Sequence, residues 1–449
     1  MPFFIKLFVV RSLRFFLPVF IIFVSSYARA QTYSTEEIVI SGLGFARFSV
    51  SLIAEDSFSE HPAASRWLRI FDRNLCWSGV FMVTDSRYRS CRTTGGADVD
   101  MKIILKINQS KTNSGKLISK QLMLIVADNN GVPLFPLALS LRKGRFRESD
   151  LMELINDLSA QLTGLEGVMG STIAFTLKQP KRRKIIARVN THGKKLAAIS
   201  RNPNISLLPK WNPQGDAIVY TTLSRRGTSI IYDDLNLKKQ PVVLLASNNS
   251  GALVSSNFLS VSGGSWHSSG QKLIVTLSRK GNTDLYIFDR RTRKESRLTS
   301  HKAIDTVPDL SPDNQNLIFV SDRSGKEQIY FLKLGTKIPF QLTFGRGSNS
   351  DPVWSPDGTL IAYSRFRYGI SQIHLMDPFT GEDHALTHGR YNSEQPSWSP
   401  DGRQIVYVSS STGIDKLYVM FVDGTGRRRL TRTPKDFEEG SPSWTPRKF

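Results

Sequence analysis

Acidic residues, cysteines and long apolar runs are all in short supply in this chain, and each shortage excludes something. Thirty-eight Asp and Glu stand against 60 Lys and Arg, a formal net charge of +22, so attraction to polyanions is physically open without saying which polyanion. Two cysteines in 449 residues exclude a disulfide framework and leave too few thiolates for a zinc ribbon or an iron–sulfur site. At most one bridge, Cys76 to Cys91, can form. No apolar run reaches the ~20 residues that cross a bilayer as a helix, so no transmembrane segment is expected in the mature chain. Catalytic signatures are missing too. The nearest string to a Gly-x-Ser-x-Gly elbow is Gly263-Gly264-Ser265-Trp266-His267, which lacks the final glycine. His384 and His388 are four apart, but on a strand and a loop they share no helical face, as a metalloprotease pair must. No catalytic residue, metal ligand or cofactor is assigned. Nucleic acid is disfavoured as a partner because no strand interleaves aromatic and basic residues.

What is present begins with an export signal. Lys6, Arg11 and Arg14 precede the apolar run Phe15–Val24, and Ala28-Arg29-Ala30 supplies small residues two apart, the order of a secretory signal peptide over residues 1–30. Cleavage after Ala30 removes four basic residues and no acidic one, leaving +18. Residues 31–167 then alternate between strand and helix patterns. Glu37–Ile40, Phe48–Ile53, Val80–Thr84, Val99–Ile107 and Leu117–Ala127 read as strands, the last two as a hairpin. His61–Leu75 sets Trp67, Leu68, Phe71 and Leu75 on one helical face, and Ser149–Leu162 has Ser149 as a predicted N-cap with Leu151, Leu154, Ile155 and Leu158 inward. This is a small α/β domain.

A phrase then recurs every 44 residues or so. Pro352-Val353-Trp354-Ser355-Pro356-Asp357-Gly358 returns as Pro396-Ser397-Trp398-Ser399-Pro400-Asp401-Gly402 and, more loosely, around Trp211, Trp266, Leu310 and Trp444; Leu298-Thr299, Leu342-Thr343, Leu386-Thr387 and Leu430-Thr431 keep the same time. Each unit reads as four short strands. Pro-x-Trp lies on the first, Ser-Pro-Asp-Gly makes a tight turn, alternating runs such as Gln404–Val408 form the second, and Leu-Thr is expected on the fourth. Four strands per repeat fit WD40-like propeller blades. Trp444 opens a sixth unit with too few residues after it for three more strands, so Ser171–Leu177, Lys184–Val189 and Lys195–Ser200 are expected to complete it. The expected fold is an α/β amino-terminal domain followed by an all-β six-bladed propeller over 168–449, closed by strands from residues 171–200, with a loop around Asn248–Phe258. The recurring Asp313, Asp357 and Asp401 read as turn residues, and the repeated tryptophans as packing between blades. The basic clusters Lys178–Lys184 and Arg427–Arg429 read as exposed connecting loops.

The signal peptide, the α/β domain, the six Trp-Ser-Pro-Asp-Gly units, Leu162-Thr163-Gly164-Leu165-Glu166-Gly167 and Pro312-Asp313-Asn314-Gln315-Asn316-Leu317 together resemble the TolB family, exported propellers of the Tol-Pal system. The resemblance covers nearly the whole mature chain. It implies a non-enzymatic periplasmic adaptor that binds the peptidoglycan-associated lipoprotein through one propeller face and the energy transducer TolA through its mature amino terminus, Gln31, Thr32, Tyr33, Ser34, Thr35, Glu36 and Glu37. Outer-membrane proteins of the outer-membrane protein A family are further implied partners, and outer-membrane integrity and envelope constriction during cell division the implied roles. The residues that begin the first strand of each blade should line one mouth of the channel: Val261-Ser262, Asp305-Thr306, Asn349-Ser350 and Ser393-Glu394. Most are short and polar, and suit hydrogen bonding to another protein's loop. The alternative is an exported propeller hydrolase or glycan-binding module with its site in the central channel.

Overall fold

A computed structural model describes residues 47–88, 91–93, 99–111, 117–141, 146–180, 183–200, 204–237, 239–247 and 259–446. The signal peptide, Gln31–Glu37, the strand expected at Glu37–Ile40 and the loop expected around Asn248–Phe258 lie outside them.

The first part is a mixed sheet of β1 (Phe48–Ala54), β2 (Phe81–Thr84), β3 (Arg92–Thr93), β4 (Met101–Lys111), β5 (Leu117–Asp128) and β6 (Pro133–Ser140) in the order β3-β2-β1-β4-β5-β6. β1 runs parallel to β2 and β4, while β4–β5 is the expected hairpin. The short helix α1 (Asp56–Ser59) and the longer α2 (Ala64–Trp77) and α3 (Glu148–Thr163) pack against it, and Trp67, Phe71, Leu75, Leu151, Leu154, Ile155 and Leu158 enter one core with Val50, Ile103 and Leu124. Ser149 is not the N-cap of α3. That position is Arg147, with no side-chain capping bond, and Glu148 and Asp150 lie in the first turn, where negative charge is stabilised by the positive end of the helix dipole. Among the described residues no helix is long and apolar enough to cross a membrane.

Six four-stranded sheets follow. Their inner strands are Ile205–Trp211, Ser260–Trp266, Asp305–Leu310, Ser348–Trp354, Ser393–Trp398 and Glu438–Trp444, which number blades 1 to 6 in that order. Each inner strand ends at its Trp or Leu, and in blades 1 to 5 a tight turn, Ser-Pro-Asp-Gly in blades 4 and 5, leads into the second strand. In blade 4 the Ser355 amide donates to Leu360 O (2.8 Å), Gly358 N to Ser355 O (2.9 Å), and the Ser355 hydroxyl both donates to Asp357 Oδ1 (2.5 Å) and accepts from Leu360 N (2.9 Å). Blades 3 and 5 repeat this with Ser311–Asp313 and Ser399–Asp401, so these carboxylates hold turns. The Leu-Thr pairs differ from expectation. The fourth strands Lys294–Arg297, Asp383–Ala385 and Arg428–Arg429 stop just before them. There the hydroxyls of Thr299, Thr343 and Thr387 accept from the backbone of the third strand (2.8 to 3.1 Å), a side-chain bond that replaces one more ladder step.

Blade 6 pairs chain ends. Glu438–Trp444 runs antiparallel to Thr172–Lys178, which continues to Lys184–Asn190 and Ala197–Ala198. Such pairing removes an edge that would otherwise be free to aggregate. The tryptophans pack between blades: Trp211 donates its indole N–H to Ser443 O (3.0 Å) and Trp398 to Val353 O (3.2 Å), while Trp444 packs with Val406 and Val419 of blade 5 and bonds within blade 6 to the Ser171 hydroxyl (2.7 Å).

The α/β part docks on the tryptophan end of the ring. The Gln404 side chain, at the start of the second strand of blade 5, donates to Trp77 O (3.1 Å) and Ser78 O (3.3 Å). Cys76 and Cys91 are bridged, Cα to Cα 5.5 Å, and pack on Phe421. Arg428 lies over the Trp77 ring at 4.2 Å. Since Ser393 pairs with Ser409 and Trp398 with Ile405, the starts of the inner strands open on the opposite face.

Candidate functional site

The mouth on that opposite face is built where each inner strand loses register with its neighbour. The shifts fall between Leu207 and Lys210, Thr306 and Asp309, Ser350 and Val353, Glu394 and Ser397, and Gly440 and Ser443. At each shift one residue adopts a left-handed backbone: Leu208 (φ 52°), Val307 (49°), Asp351 (52°), Gln395 (56°) and Ser441 (48°). Each is followed by proline, at 209, 308, 352, 396 and 442. Proline has no N–H to give a ladder, so it fits only where a strand bulges or lies at an edge, and the innermost strand of a blade is an edge facing the channel. Blade 2 departs, with Gly263-Gly264 at the bulge; a Cβ on Gly264 would stand 1.9 Å from Ile274 O, so that position accepts nothing larger. A left-handed non-glycine residue costs roughly 1–2 kcal/mol, and a β-branched one such as Val307 is a genuine outlier. Five in one collar concentrate strain at a single place, which is the pattern of a binding site.

The eight mouth residues expected from sequence divide into two sets, because successive side chains on a strand point to opposite sides. Val261, Asp305, Asn349 and Ser393 are at most 1% exposed. Against the expectation of exposed contacts they are buried, and three of them fasten neighbouring strands, while the Ser393 hydroxyl is buried without a hydrogen-bond partner. Asp305 accepts two bonds from Arg323 (2.7 and 2.8 Å), Asn349 donates to Gln328 Oε1 (2.7 Å) and accepts from Arg365 Nε (3.0 Å), and the Val261 amide donates to the Thr228 hydroxyl (2.8 Å). Ser262, Thr306, Ser350 and Glu394 are half-buried. Ser262 and Thr306 line a cavity of about 160 Å³ inside the collar, and Ser350 donates its hydroxyl to Asp351 Oδ2 (2.9 Å).

Sequence reasoning missed the collar itself, Leu208, Val307, Asp351, Gln395 and Ser441, which contributes to the cavity from five blades. The signal was there. A proline two residues before the anchor, repeated on what must be an inner strand, marks a bulge. The wall is largely apolar, with Pro209, Pro308, Pro352, Pro396, Pro442 and Val353, and Leu208 and Val307 remain 40% exposed. Against it stand buried carboxyls. Burial pushes Asp351 and Asp309 up from the ordinary carboxylate range, with Lys210 acting weakly in the other direction, and Glu394 is raised by burial and then by the charges of Asp351 and Asp415. Among the described residues no group of three or more His, Cys, Asp or Glu is arranged to hold a metal ion.

A ring of six four-stranded blades, packed on one face by the α/β part and opening on the other through a proline collar, defines a six-bladed β-propeller preceded by a mixed α/β region. The chain belongs to the TolB family: residues 160–448 match the model of the TolB beta propeller domain, well over half of the sequence. It is 29% identical over 297 residues to a Protein TolB homolog of Chlorobium luteolum, covering 63% of this chain and 64% of that one. It is 25% identical over 154 residues to the Tol-Pal system protein TolB of Nitratidesulfovibrio vulgaris, covering 34% and 32%. The matched stretches thus span less than two thirds of the length of these curated relatives. The crystal structure of TolB from Acinetobacter baumannii superposes with a TM-score of 0.69 at 22% identity, over 90% of this chain and 97% of that one, a likeness of fold.

Proposed function

We propose that this chain is the Tol-Pal adaptor of its own cell. In this reading residues 1–30 direct export to the periplasm, 31–167 and 168–449 act as the α/β and propeller domains, and the protein works by binding, without a reaction. The proline-collared mouth takes the peptidoglycan-associated lipoprotein, with Ser262, Thr306, Ser350 and Glu394 as contact residues and Val261, Asp305 and Asn349 holding them in position. The mature amino terminus, Gln31–Glu37, engages TolA. Coupling the two partners would serve outer-membrane integrity and envelope constriction. The observation that carries the reading is the collar of five left-handed residues on the face away from the α/β domain, strain that a purely structural ring has no need to hold.

The test is capture from detergent-solubilised envelopes of the same cell by the mature chain 31–449, at moderate salt to suppress charge-driven binding. Near-equal recovery of the lipoprotein is expected, with at least ten-fold loss on Thr306→Arg/Ser350→Arg in a chain that still melts cooperatively. Unchanged recovery by the folded double variant would overturn the assigned surface. Recovery of polysaccharide in place of the lipoprotein would turn the channel into a glycan site.

A further inference from the structure

The collar is largely apolar with buried acids beside it, and among the described residues those acids are in no ion pair. Asp351 sits at the cavity wall, accepts from the Ser350 hydroxyl at 2.9 Å, and is one blade away from Glu394, which feels its charge. Asp309 lies deeper, accepting from Trp354 N (2.9 Å) and the Ser265 hydroxyl (3.0 Å). Among the described residues none of these three carboxylates forms an ion pair. Lys210, from blade 1, lines the same cavity and acts on Asp309 and Asp351 through space only. A chain carrying +22 overall has thus gathered carboxylates where it has strained its backbone. A second, separate observation points the same way. Thr276, on the second strand of blade 2 opposite Ser262, lines the cavity at 6% exposure and its hydroxyl has no hydrogen-bond partner. The corresponding hydroxyls of Thr221 and Ser364 accept from the bulge amides of Gly263 (2.8 Å) and Gln395 (2.9 Å). Thr276 therefore carries an unused oxygen at the cavity wall where Thr221 and Ser364 are satisfied, a state it shares with Thr176 of blade 6, and a buried polar group left so is costly unless something arrives to pair it.

We propose that the mouth is a socket for one alkyl cation, the side chain of a lysine or arginine presented by the bound partner. The assignment rests on the reading of this channel as the partner face. The cavity of about 160 Å³ has room for a single extended side chain. Its methylene stem lies along Leu208, Val307 and the prolines, and its head donates to Asp351, with Glu394 adding charge and the Thr276 hydroxyl accepting a further N–H. Long basic side chains combine an apolar stem and a charged tip in this way, and a charge-assisted bond to a desolvated carboxylate is among the stronger contacts a protein offers. A free divalent ion would leave the apolar wall without a partner.

The probe is n-butylammonium, with n-butanol and butyrate as controls, titrated at pH 7.5 into the mature chain while the methyl NMR signals of Leu208, Val307 and Val353 are followed. Saturable shifts at least ten-fold tighter for the ammonium than for the alcohol are expected, with none for butyrate. Asp351→Asn should bring ammonium and alcohol within two-fold of each other, and Asp351→Glu should restore the preference. Asparagine tolerates the left-handed backbone and removes an uncompensated charge, so the variant is expected to fold. Equal binding of ammonium and alcohol, or a preference that survives Asp351→Asn, would overturn the socket. Capture of the lipoprotein by wild type and Asp351→Asn separates the two claims. Capture without an ammonium preference would sink the socket and leave the partner face standing. An ammonium preference without capture would do the reverse.

Discussion

At the tryptophan end of the inner strands blades 3, 4 and 5 turn in the same way, whereas at the mouth end five of the six blades present different side chains in one strained backbone. Ser311, Ser355 and Ser399 each donate to an aspartate two residues on and accept from the amide five residues on. Those turns satisfy their own polar groups, and the α/β domain packs over that end. At the mouth, Leu208, Val307, Asp351, Gln395 and Ser441 share a left-handed conformation and no common chemistry. Repetition of side chain together with bonding identifies the end that holds the ring shut. Repetition of backbone without repetition of side chain marks the end that the proposed function assigns to a partner.

The largest break in this comparison should come from ring closure. Trp444 is 6% exposed and bonded to Ser171 across the joined chain ends. Trp444→Ala is expected to lose about 3–5 kcal/mol in urea unfolding; a loss below about 1 kcal/mol would mean that blade 6 does not close the ring. The next effect belongs to the docked face. His192 shares its Nε2–H with Asn74 Oδ1 (2.9 Å), since Asn74 Nδ2 already donates to Ile70 O, and its Nδ1 is buried without a partner. Burial, then Arg73, Arg428 and Lys194, push its pKa down to about 3. The unfolded chain binds a proton near pH 6.5 that the folded chain refuses until about 3, so stability present above 6.5 is lost as pH falls through that window. The urea midpoint should drop between pH 7 and pH 5, and His192→Asn should shrink the drop; an unaltered drop in the variant would assign it to other groups. The smallest effects should have opposite signs at the two ends. Ser355→Ala should destabilise by about 1 kcal/mol by unmaking the turn. Val307→Gly should be neutral or stabilise by up to about 1 kcal/mol, because strain is relieved against a greater unfolded-state entropy. Two losses of equal size would contradict the strain at the mouth.

The blade count was legible because the turn chemistry recurs as letters: Ser-Pro-Asp-Gly is a local structure written in side chains. The helices α2 and α3 were legible from spacing, to within two or three residues at their ends. β6 was not, because Pro133 and Pro136 argue against a strand; its place at the edge of the sheet, pairing only with β5, removes the objection. The outer end of each blade was misread by one step, since Leu-Thr resembles a strand but its threonine replaces a ladder bond. At the candidate site the strand starts were located and their alternation was overlooked, which turned Asp305 and Asn349 from contacts into fastenings. The collar went unread because its residues share no letter; only the proline after each does. The pairing of Cys76 with Cys91 and its seat on Phe421 depend on tertiary packing that no local pattern carries.

The central claim is that the mouth, and not the turn end, is where a partner binds. A photo-crosslinking residue in place of Gln395 at the mouth or Thr359 in the exposed turn of blade 4 tests it directly, in cells that make the full chain. Binding at the mouth predicts a covalent adduct with the peptidoglycan-associated lipoprotein from position 395 and none from position 359. An adduct from 359 alone would contradict it.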